Sequence, residues 1–218
     1  MTESSFDPML VHAWLAARSI ARGLPAPVFD HGGFRVDTGS DAEVRRWVFA
    51  RLEPGLAALA GTISEPGHSL KLCGTADALR SALPDGWHID DASYFMATDV
   101  PGHKRPLPAG YVLETDRGAA VSAVRVRSVA GDIAASGYAA ETDAAFVYDR
   151  IVTAAQHRRR GLGHVVMNAL CNTKRVAATP ELLVATEAGR ALYERLGWRV
   201  LSPYTTASIV QTRIGIST

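Results

Sequence analysis

The sequence has few cysteines, few lysines and no long apolar run. Its two cysteines, Cys73 and Cys171, are too few for a disulfide framework or a zinc site and lie in apolar stretches, which predicts buried structural thiols. No stretch approaches the roughly 20 apolar residues of a membrane span, and the first ten residues lack the basic and apolar regions of a secretory signal. We therefore expect a cytoplasmic protein with no membrane segment and no metal site.

An excess of charge of either sign is also missing. The 218-residue chain has 23 Lys and Arg against 22 Asp and Glu, which leaves a net charge of +1. Such a chain has no overall field to attract nucleic acid or an anionic membrane, so neither is an expected partner. Any anion must therefore bind at a local site. A hydrophobic content of 47% is enough for a sizeable core, and we expect a globular protein.

The first hundred residues alternate between helical and extended patterns. Residues 7–25 carry apolar side chains at helical spacing and end at Gly23, and residues 42–52 predict a second helix capped by Ser40 or Asp41. The other predicted elements are a strand at 34–39, a strand at 68–74, a helix at 75–84 and an extended segment at 87–100. The sequence thus predicts a mixed α/β region.

A run rich in proline and glycine, DVPGHKRPLPAG at residues 99–110, interrupts this pattern. We place a domain boundary there, between an N-terminal extension of residues 1–100 and a core of residues 101–218. In the core, period-two patterns predict four antiparallel strands, at 111–116, 120–129, 132–141 and 145–153. They are followed by a helix, the strand ELLVAT, a helix closed by Gly197, and a C-terminal hairpin at 198–214 whose edge would support a homodimer.

The segment QHRRRGLGHVVMNAL, residues 156–170, joins three arginines to a glycine turn and an apolar helix. A helix that begins at about Gly163 presents unpaired backbone amides and the positive end of its dipole, and glycines at 161 and 163 remove the Cβ atoms that would keep a ligand away. A Walker loop is excluded because no Gly-Lys-Ser/Thr follows. A dinucleotide fingerprint fails because Val166 stands where Gly or Ala is needed. A pyrophosphate loop of the pattern Arg-x-x-Gly-x-Gly remains.

Over residues 110–213 the sequence resembles the GNAT superfamily of N-acetyltransferases. QHRRRGLG is similar to the acetyl-CoA pyrophosphate loop of that family, and the preceding FVYDRIVT resembles its fourth strand. ATEAGRALYERLGW is similar to the second landmark of the family, with ELLVAT between the two motifs. The resemblance implies an α+β fold with a GNAT-like mixed, mostly antiparallel sheet flanked by helices, here with an N-terminal α/β extension.

The same resemblance implies an acetyl-CoA-dependent N-acyltransferase, with acetyl-CoA as co-substrate and no metal. It assigns cofactor contacts to Ile151 and Thr153 on the strand and to Thr186, although Thr186 stands where the family commonly has Asn. In the loop, the backbone amides from Arg159 to His164 are expected to hold the diphosphate. The cofactor-binding members of the loop are Arg158, Arg159, Arg160, Gly161, Leu162, Gly163 and His164.

Acetyl transfer to an amine needs a group that removes a proton, because an alkyl amine has a pKa of about 10. Strict alternation along residues 145–153 places Asp149 on one face with Val147, Ile151 and Thr153, where apolar neighbours would raise its pKa. Asp149 also stands where many family members have a carboxylate, so it is the candidate base. The alternative is a structural pair of Asp149 with Arg150 or another arginine. Reserve candidates are Glu141, Asp143 and Tyr148.

The departing thiolate needs a proton donor, and the developing oxyanion needs a hydrogen bond. Tyr193 occupies the position that the family uses for the acid, while the alternative is that Tyr193 only packs beside the stripe of Ala188, Leu192 and Leu196. The oxyanion donor of the family is a main-chain amide near the end of the fourth strand, which corresponds to Thr153 or Ala154.

One departure from the family concerns the acceptor. Two helices usually separate the first two strands, whereas only residues 116–119 do so here, and we infer that residues 1–100 supply the acceptor side. Alternatively, residues 33–49 are the true first strand and helix of one enlarged domain. The acceptor itself stays open, as a small-molecule or a peptide amine. Acyl transfer from another thioester is also open, and the alternative function is a non-catalytic acyl-CoA-binding sensor or scaffold.

Overall fold

The computed structural model describes residues 6–99, here the first half, and residues 105–209, the second half. The helices of these two parts are α1 (Pro8–Arg22), α2 (Pro54–Ala60), α3 (Ala76–Arg80), α4 (Leu162–Cys171) and α5 (Glu187–Arg195). The strands of the first half are β1 (Val28–Asp30), β2 (Gly33–Asp37), β3 (Arg45–Phe49), β4 (His68–Leu72), β5 (Trp87–Ile89) and β6 (Ser93–Thr98). Those of the second half are β7 (Tyr111–Arg117), β8 (Val121–Ser128), β9 (Ile133–Glu141), β10 (Phe146–Thr153), β11 (Glu181–Thr186) and β12 (Arg199–Ile209).

The strands form one mixed sheet in the order β1-β2-β3-β4-β12-β6-β11-β10-β9-β8-β7, with β5 paired to β12 beside this path. Two neighbouring pairs, β3 with β4 and β10 with β11, are parallel. The other pairs among the described strands are antiparallel. Around β10, α4 packs on one face of the sheet and α1 on the other, each with its own apolar cluster. The predicted α+β fold with a mostly antiparallel sheet and flanking helices is confirmed.

The two halves repeat one order of elements. In the first half β2 pairs antiparallel with β3, and α2 connects β3 to the parallel strand β4, which α3 and β5 follow. In the second half β9, β10, α4, β11, α5 and β12 are arranged in the same way. The sequence shows no convincing repeat, so the similarity is one of topology.

Each half of the sheet is completed by a strand from the other half. β6, from the first half, pairs with β11 on one side and with β12 on the other. The C-terminal part of β12, in turn, pairs with β4 and β5 of the first half. The sheet is therefore continuous across the predicted domain boundary, whose residues 100–104 lie outside the described residues.

Helix α1 forms where the sequence predicts it, and its ends are well defined. The side chain of Asp7 accepts a hydrogen bond from the backbone N of Met9 at 2.9 Å, and Pro8 occupies the first turn. Gly23, at φ 63°, ends the helix in the left-handed conformation. The buried face of α1 includes Trp14, which packs edge-to-face on Phe95 with ring centroids 5.2 Å apart. This packing fixes α1 against the sheet.

Two sequence predictions about elements are wrong. The helix predicted at 42–52 is the strand β3, because side chains on both faces of this strand are buried, which removes the period-two signal. In the predicted C-terminal hairpin, residues 199–209 form one continuous strand, and residues 210–214 lie outside the described part. Residues 199–204 of β12 pair with β6, and residues 205–208 pair with β4; the homodimer stays a prediction.

Candidate functional site

The loop before α4 has the geometry of an anion cradle. It contains two left-handed residues, Arg159 at φ 63° and Gly161 at φ 80°. Gly161 is the N-cap of α4 and has no side chain to bond the first amides of the helix, so these amides and the positive end of the dipole remain available to an anion. The helix begins at Leu162, one residue before the predicted start. The Leu162 side chain is buried, so only its backbone could reach a ligand.

Arg105 lies over this loop, although the sequence analysis placed it in the proline- and glycine-rich boundary segment at residues 99–110. A Cβ built on Gly161 would be 2.5 Å from the guanidinium carbon of Arg105. The left-handed φ therefore favours glycine at position 161, and a side chain there would displace the end of the Arg105 side chain. A guanidinium beside the positive end of a helix is repelled unless an anion lies between the two. The arrangement favours a bound anion such as a diphosphate.

The three consecutive arginines of the loop are exposed and make different contacts. Arg158 donates to the backbone carbonyl of Thr153 at 3.4 Å, and Arg160 donates to the hydroxyl of Tyr111 at 3.0 Å. Arg159 contributes its left-handed backbone to the cradle. The three arginines therefore add positive charge at the loop.

Gly163 brings the loop against the end of β10 and against α5. A Cβ built on Gly163 would lie 3.1 Å from Cδ2 of Leu192 and 3.7 Å from Oγ1 of Thr153. His164, the next residue, is half-buried in the first turn of α4. The structure thus places the predicted loop residues next to the predicted strand residue Thr153.

The strands β10 and β11 separate in the middle of the sheet. They are paired at two positions, Phe146 with Glu181 and Val147 with Leu182. Beyond this point β10 stays paired with β9 as far as Thr153, and β11 stays paired with β6 as far as Thr186. A gap therefore opens between β10 and β11, and it forms a cavity of about 260 Å³.

We call this cavity the passage, because side chains from both faces of the sheet line it. Tyr148, Leu183 and Tyr193 belong to the cluster on the α4 face, whereas Trp14 belongs to the cluster on the α1 face. The residues that line the passage are Trp14, Arg18, Arg22, Tyr148, Asp149, Arg150, Ile151, Leu183, Val184, Ala185, Thr186, Gly189 and Tyr193.

A bulge in β10 overturns the strict alternation that the sequence analysis assumed. The register with β9 shifts between Asp149 and Val152, and Arg150 adopts a left-handed φ of 52°. The extra residue reverses the faces beyond it. Ile151 therefore packs in the cluster on the α4 face, and Thr153 is close to Gly163 of α4, while Asp149 points to α1.

Of the two amides predicted as oxyanion donors, those of Thr153 and Ala154, one already donates to the neighbouring strand. The amide of Ala154 donates to the carbonyl of Ala134 at 2.9 Å, so it is already used. Because amides of neighbouring residues in an antiparallel strand point in opposite directions, the amide of Thr153 points away from β9 and into the gap. Thr153 is the candidate donor.

Asp149 is surrounded by arginines. Its carboxylate accepts hydrogen bonds from Nε and Nη2 of Arg22 at 2.7 and 2.9 Å and from Nε of Arg150 at 3.1 Å, and Nε of Arg18 lies 3.5 Å away. Burial alone would raise the pKa of Asp149, but the Arg22 hydrogen bonds and the charges of the three arginines lower it below the usual value. The predicted rise of this pKa is wrong, because the sequence did not show that α1 approaches β10.

The reserve candidates lie elsewhere or are engaged. Glu141 accepts hydrogen bonds from the backbone N of Arg175 at 3.0 Å, outside the passage. Asp143 is exposed in the turn before β10. The hydroxyl of Tyr148 donates to Glu181 at 2.5 Å, and burial together with the Glu181 charge raises the pKa of Tyr148 well above its usual value. These contacts do not suit a base.

Tyr193 and Thr186 lie on the wall of the passage that α5 forms. Tyr193 is 7% exposed, its ring centroid is 6.0 Å from that of Trp198, and burial raises the pKa of its phenol to about 12. Its hydroxyl has no hydrogen-bond partner among the described residues. Oγ1 of Thr186 accepts from the backbone N of Gly189 at 3.2 Å, so Thr186 caps α5.

The opposite wall comes from α1, to which the sequence analysis assigned no catalytic or cofactor-binding residue. Trp14, Arg18 and Arg22 line the passage and stand at i, i+4 and i+8, on one face of the helix. The spacing of a tryptophan and two arginines at every fourth residue is visible in the sequence, and it could have indicated a shared helix face. The first half of the chain thus forms part of the passage wall.

Two structural findings concern absences within residues 6–99 and 105–209. No group of three or more His, Cys, Asp or Glu side chains in these ranges is placed to hold a metal ion. No helix there is both long and apolar enough to cross a membrane.

The second half of the chain is similar to a known family. Residues 110–200 match the family model described as an acetyltransferase (GNAT) domain. No curated protein matches the sequence significantly.

Solved structures share the fold over nearly the whole chain. A GCN5-related N-acetyltransferase from Kribbella flavida is 18% identical, with a TM-score of 0.63 over 95% of this chain and 96% of that one. One from Sphaerobacter thermophilus is 12% identical, with a TM-score of 0.54 over 93% and 94%. A tandem GNAT protein from the clavulanic acid biosynthesis pathway is 16% identical, with a TM-score of 0.54 over 96% of each chain. At these identities the similarity concerns the fold alone.

Proposed function

We propose that the protein is an N-acetyltransferase that transfers an acetyl group from acetyl-CoA to an amine by direct attack, because residues 110–200 match the model of a GNAT acetyltransferase domain. The observation that carries the proposal is the passage between β10 and β11, which lies next to the anion cradle before α4. A cradle for a diphosphate beside a gap with unpaired strand amides suits a long, phosphate-bearing thioester. Acetyl-CoA supplies the activated acetyl group.

The loop binds the diphosphate mainly through its backbone. We expect the amides of residues 159–164 to bind it at the start of α4, after the N-cap Gly161, where the helix dipole adds positive potential. Arg105 and the exposed guanidinium groups of Arg158 and Arg160 add charge around this point. Ile151 lines the passage at its β10 side, Thr153 follows on the same strand, and both offer backbone groups to the chain of the co-substrate.

The Thr153 amide stabilises the negative charge that develops on the thioester oxygen. It points into the gap, and a fixed backbone donor needs no reorganisation when charge forms. The neighbouring Ala154 amide is excluded from this role by its hydrogen bond to Ala134.

Tyr193 donates a hydrogen bond to the departing sulfur. Its pKa of about 12 lies well above the roughly 8.5 of a thiol, so complete proton transfer to the thiolate is uphill. A hydrogen bond from the neutral phenol still stabilises the thiolate, and the hydroxyl has no competing partner in the described part of the chain.

Asp149 acts as a positioning residue, in contrast to the base that the sequence predicts. Its lowered pKa and its arginine partners make it a poor proton acceptor, and its contacts hold Arg18, Arg22 and Arg150 at the passage. These cations lower the pKa of an ammonium group that enters beside them, because like charges disfavour the protonated form. The neutral amine attacks the carbonyl carbon of the thioester and forms the C–N bond. The C–S bond then breaks, CoA leaves as the thiolate, and the proton lost from the nitrogen passes to water.

Two measurements test the proposed function. Calorimetry with CoA reports whether the cradle binds, and the release of CoA, detected with a thiol reagent across a panel of amines, reports turnover. We expect binding together with turnover of at least one amine. Binding without turnover of any amine would favour the sensor or scaffold, and an absence of binding would refute the cofactor assignment.

A further inference from the structure

The wall that α1 contributes to the passage is strongly cationic. Arg18 and Arg22 from α1 and Arg150 from β10 line the passage, and Asp149 is the one carboxylate among the described residues that line it. Three guanidinium groups therefore face one carboxylate. The excess positive charge is partly desolvated, which makes it costly unless an anion compensates it.

Arg22 and Arg150 already have hydrogen-bond partners. Arg22 forms a two-pronged contact with Asp149. Arg150 donates to Asp149 and, through Nη2, to the carbonyl of Ala21 at 2.6 Å near the end of α1, and its guanidinium lies 3.9 Å from the ring centroid of Tyr138. Both arginines hold α1 against β10.

Arg18 differs from these two arginines. Its side chain is 19% exposed, yet within the described residues it donates no hydrogen bond, and its contacts are the charge of Asp149 at 3.5 Å and the ring of Trp14, 5.3 Å from its centroid. Burial, with the nearby charges of Arg46 and Arg22, lowers the pKa of Arg18 to about 10, so it stays charged at neutral pH. A partly buried guanidinium with unused donors is a receptor for a planar anion.

A second unpartnered donor lies beside Arg18. Nε1 of Trp14 is buried without a hydrogen-bond partner among the described residues, and Trp14 is 2% exposed and lines the passage. Buried polar groups are normally hydrogen-bonded, so two neighbouring donors without acceptors indicate a missing acceptor group.

We propose that the acceptor is a small amine that also carries a carboxylate, such as an amino acid, and that Arg18 binds this carboxylate. The inference rests on the proposed acetyl transfer and assigns its substrate class. A planar carboxylate matches the two parallel N–H donors of a guanidinium, and the passage has about 260 Å³ for the acceptor. Polycationic acceptors such as polyamines are repelled by the same arginines.

The test compares matched acceptors in the full-length protein. Each L-amino acid is paired with its carboxamide and with the corresponding decarboxylated amine, and concentrations are corrected to the neutral amine. We expect kcat/KM for the amino acids to be at least tenfold higher than for either partner. Phosphoethanolamine and spermidine complete the panel: a preference for the first would overturn the carboxylate assignment, and a preference for the second would overturn the anionic acceptor altogether.

Variants of Arg18 test whether this residue binds the carboxylate of the acceptor. Arg18→Gln should lower kcat/KM for amino acids at least tenfold, mainly through KM, and should lower it several-fold less for the carboxamides, which lose only the effect of the Arg18 charge on the amine. Arg18→Lys, which keeps the charge and loses the two-pronged geometry, should be intermediate. Arg127→Gln is the matched control, because Arg127 is paired with Glu114 away from the passage. An equal effect of Arg18→Gln on acids and carboxamides would show a structural role instead.

The failure of this inference can be distinguished from failure of the proposed function. Turnover without preference for carboxylates refutes the inference and leaves the acetyltransferase intact. If no amine is turned over, calorimetry of the same matched pairs with the CoA-loaded protein decides the question by binding alone. Thermal unfolding of each Arg18 variant checks that it folds, and the wild-type panel decides the acceptor class even if Arg18→Gln does not.

Discussion

Gly161 has a left-handed backbone and lies against the Arg105 guanidinium, and a single substitution tests both features. Its φ of 80° is unfavourable for any residue with a Cβ, and that Cβ would also displace the Arg105 guanidinium. We expect Gly161→Ala to destabilise the protein by about 1–2 kcal/mol from the backbone conformation. We also expect it to weaken CoA binding about tenfold, which corresponds to roughly 1.4 kcal/mol. Calorimetry and thermal unfolding measure the two effects.

Gly131 provides the control for this prediction. It has a similar left-handed φ of 91°, and a Cβ there would meet nothing within 4 Å. Gly131→Ala should therefore cost the same backbone energy and leave the dissociation constant of CoA unchanged. If both variants bind CoA as well as the wild type, the loop is not the diphosphate site.

The hydroxyl of Tyr193 can be tested without disturbing its packing. Tyr193→Phe keeps the ring beside Trp198 and removes the hydrogen bond to the departing sulfur. A hydrogen bond to a charged group is worth about 1.5–3 kcal/mol, so kcat should fall roughly 10- to 100-fold while CoA affinity stays nearly intact. Unchanged turnover, measured by CoA release, would remove Tyr193 from the mechanism and leave it a packing role.

At the scale of elements, Asp149 joins α1 to β10 through contacts between residues 127 positions apart in the sequence. Asp149→Asn leaves the arginines without their counter-charge. We expect a loss of stability on the order of 2–4 kcal/mol, below the value for a fully buried pair because Arg22 is 29% exposed. Denaturant unfolding at neutral pH measures this loss, and the matched variant Glu114→Gln, at an exposed pair, should change stability by less than about 1 kcal/mol.

The pH dependence of stability and of the reaction rate distinguishes a positioning role of Asp149 from a role as the base. Because the folded pKa of Asp149 is lowered, its stabilising effect is fully present above the unfolded pKa of about 4 and is lost as the pH falls through the folded pKa. The wild type should therefore lose stability in this acid range more steeply than Asp149→Asn. In a pH–rate profile, a positioning role predicts a lower rate of unchanged shape. Disappearance of the acidic limb in the variant would instead identify Asp149 as the base.

The elements also show what could be predicted from sequence. The cradle was predictable because the glycines, the helix start and the adjoining strand of this site are close together in the chain. The bulge at Arg150 was not, because a periodicity argument assumes regular alternation and a single left-handed residue reverses it. Strand β3 was read as a helix because burial of both its faces removes the alternation that marks a strand.

At the scale of the whole molecule, contacts between distant parts of the chain decide what sequence reasoning left open. The arginines that surround Asp149 come from α1, so the pKa of this carboxylate depends on a helix in the other half. The hydrophobic pattern of α1 predicted the helix and its buried face but not the strand on which it docks. The acceptor side of the site therefore could not be derived from the second half alone.

The exchange of strands between the halves leads to a prediction about folding. β6 separates β11 from β12, and the end of β12 separates β4 from β5, so removal of either half leaves the other with unpaired strand edges and exposed core. We expect the full chain to unfold in one cooperative transition, with equal calorimetric and van't Hoff enthalpies. A fragment of residues 101–218 should fail to fold alone, whereas a fragment that begins at residue 87 and so retains β5 and β6 should recover part of the native circular dichroism. Two separate transitions in the full chain, or a stably folded 101–218 fragment, would instead support two separate domains over one enlarged domain. Each half would then hold its sheet together without the strand that the other half supplies.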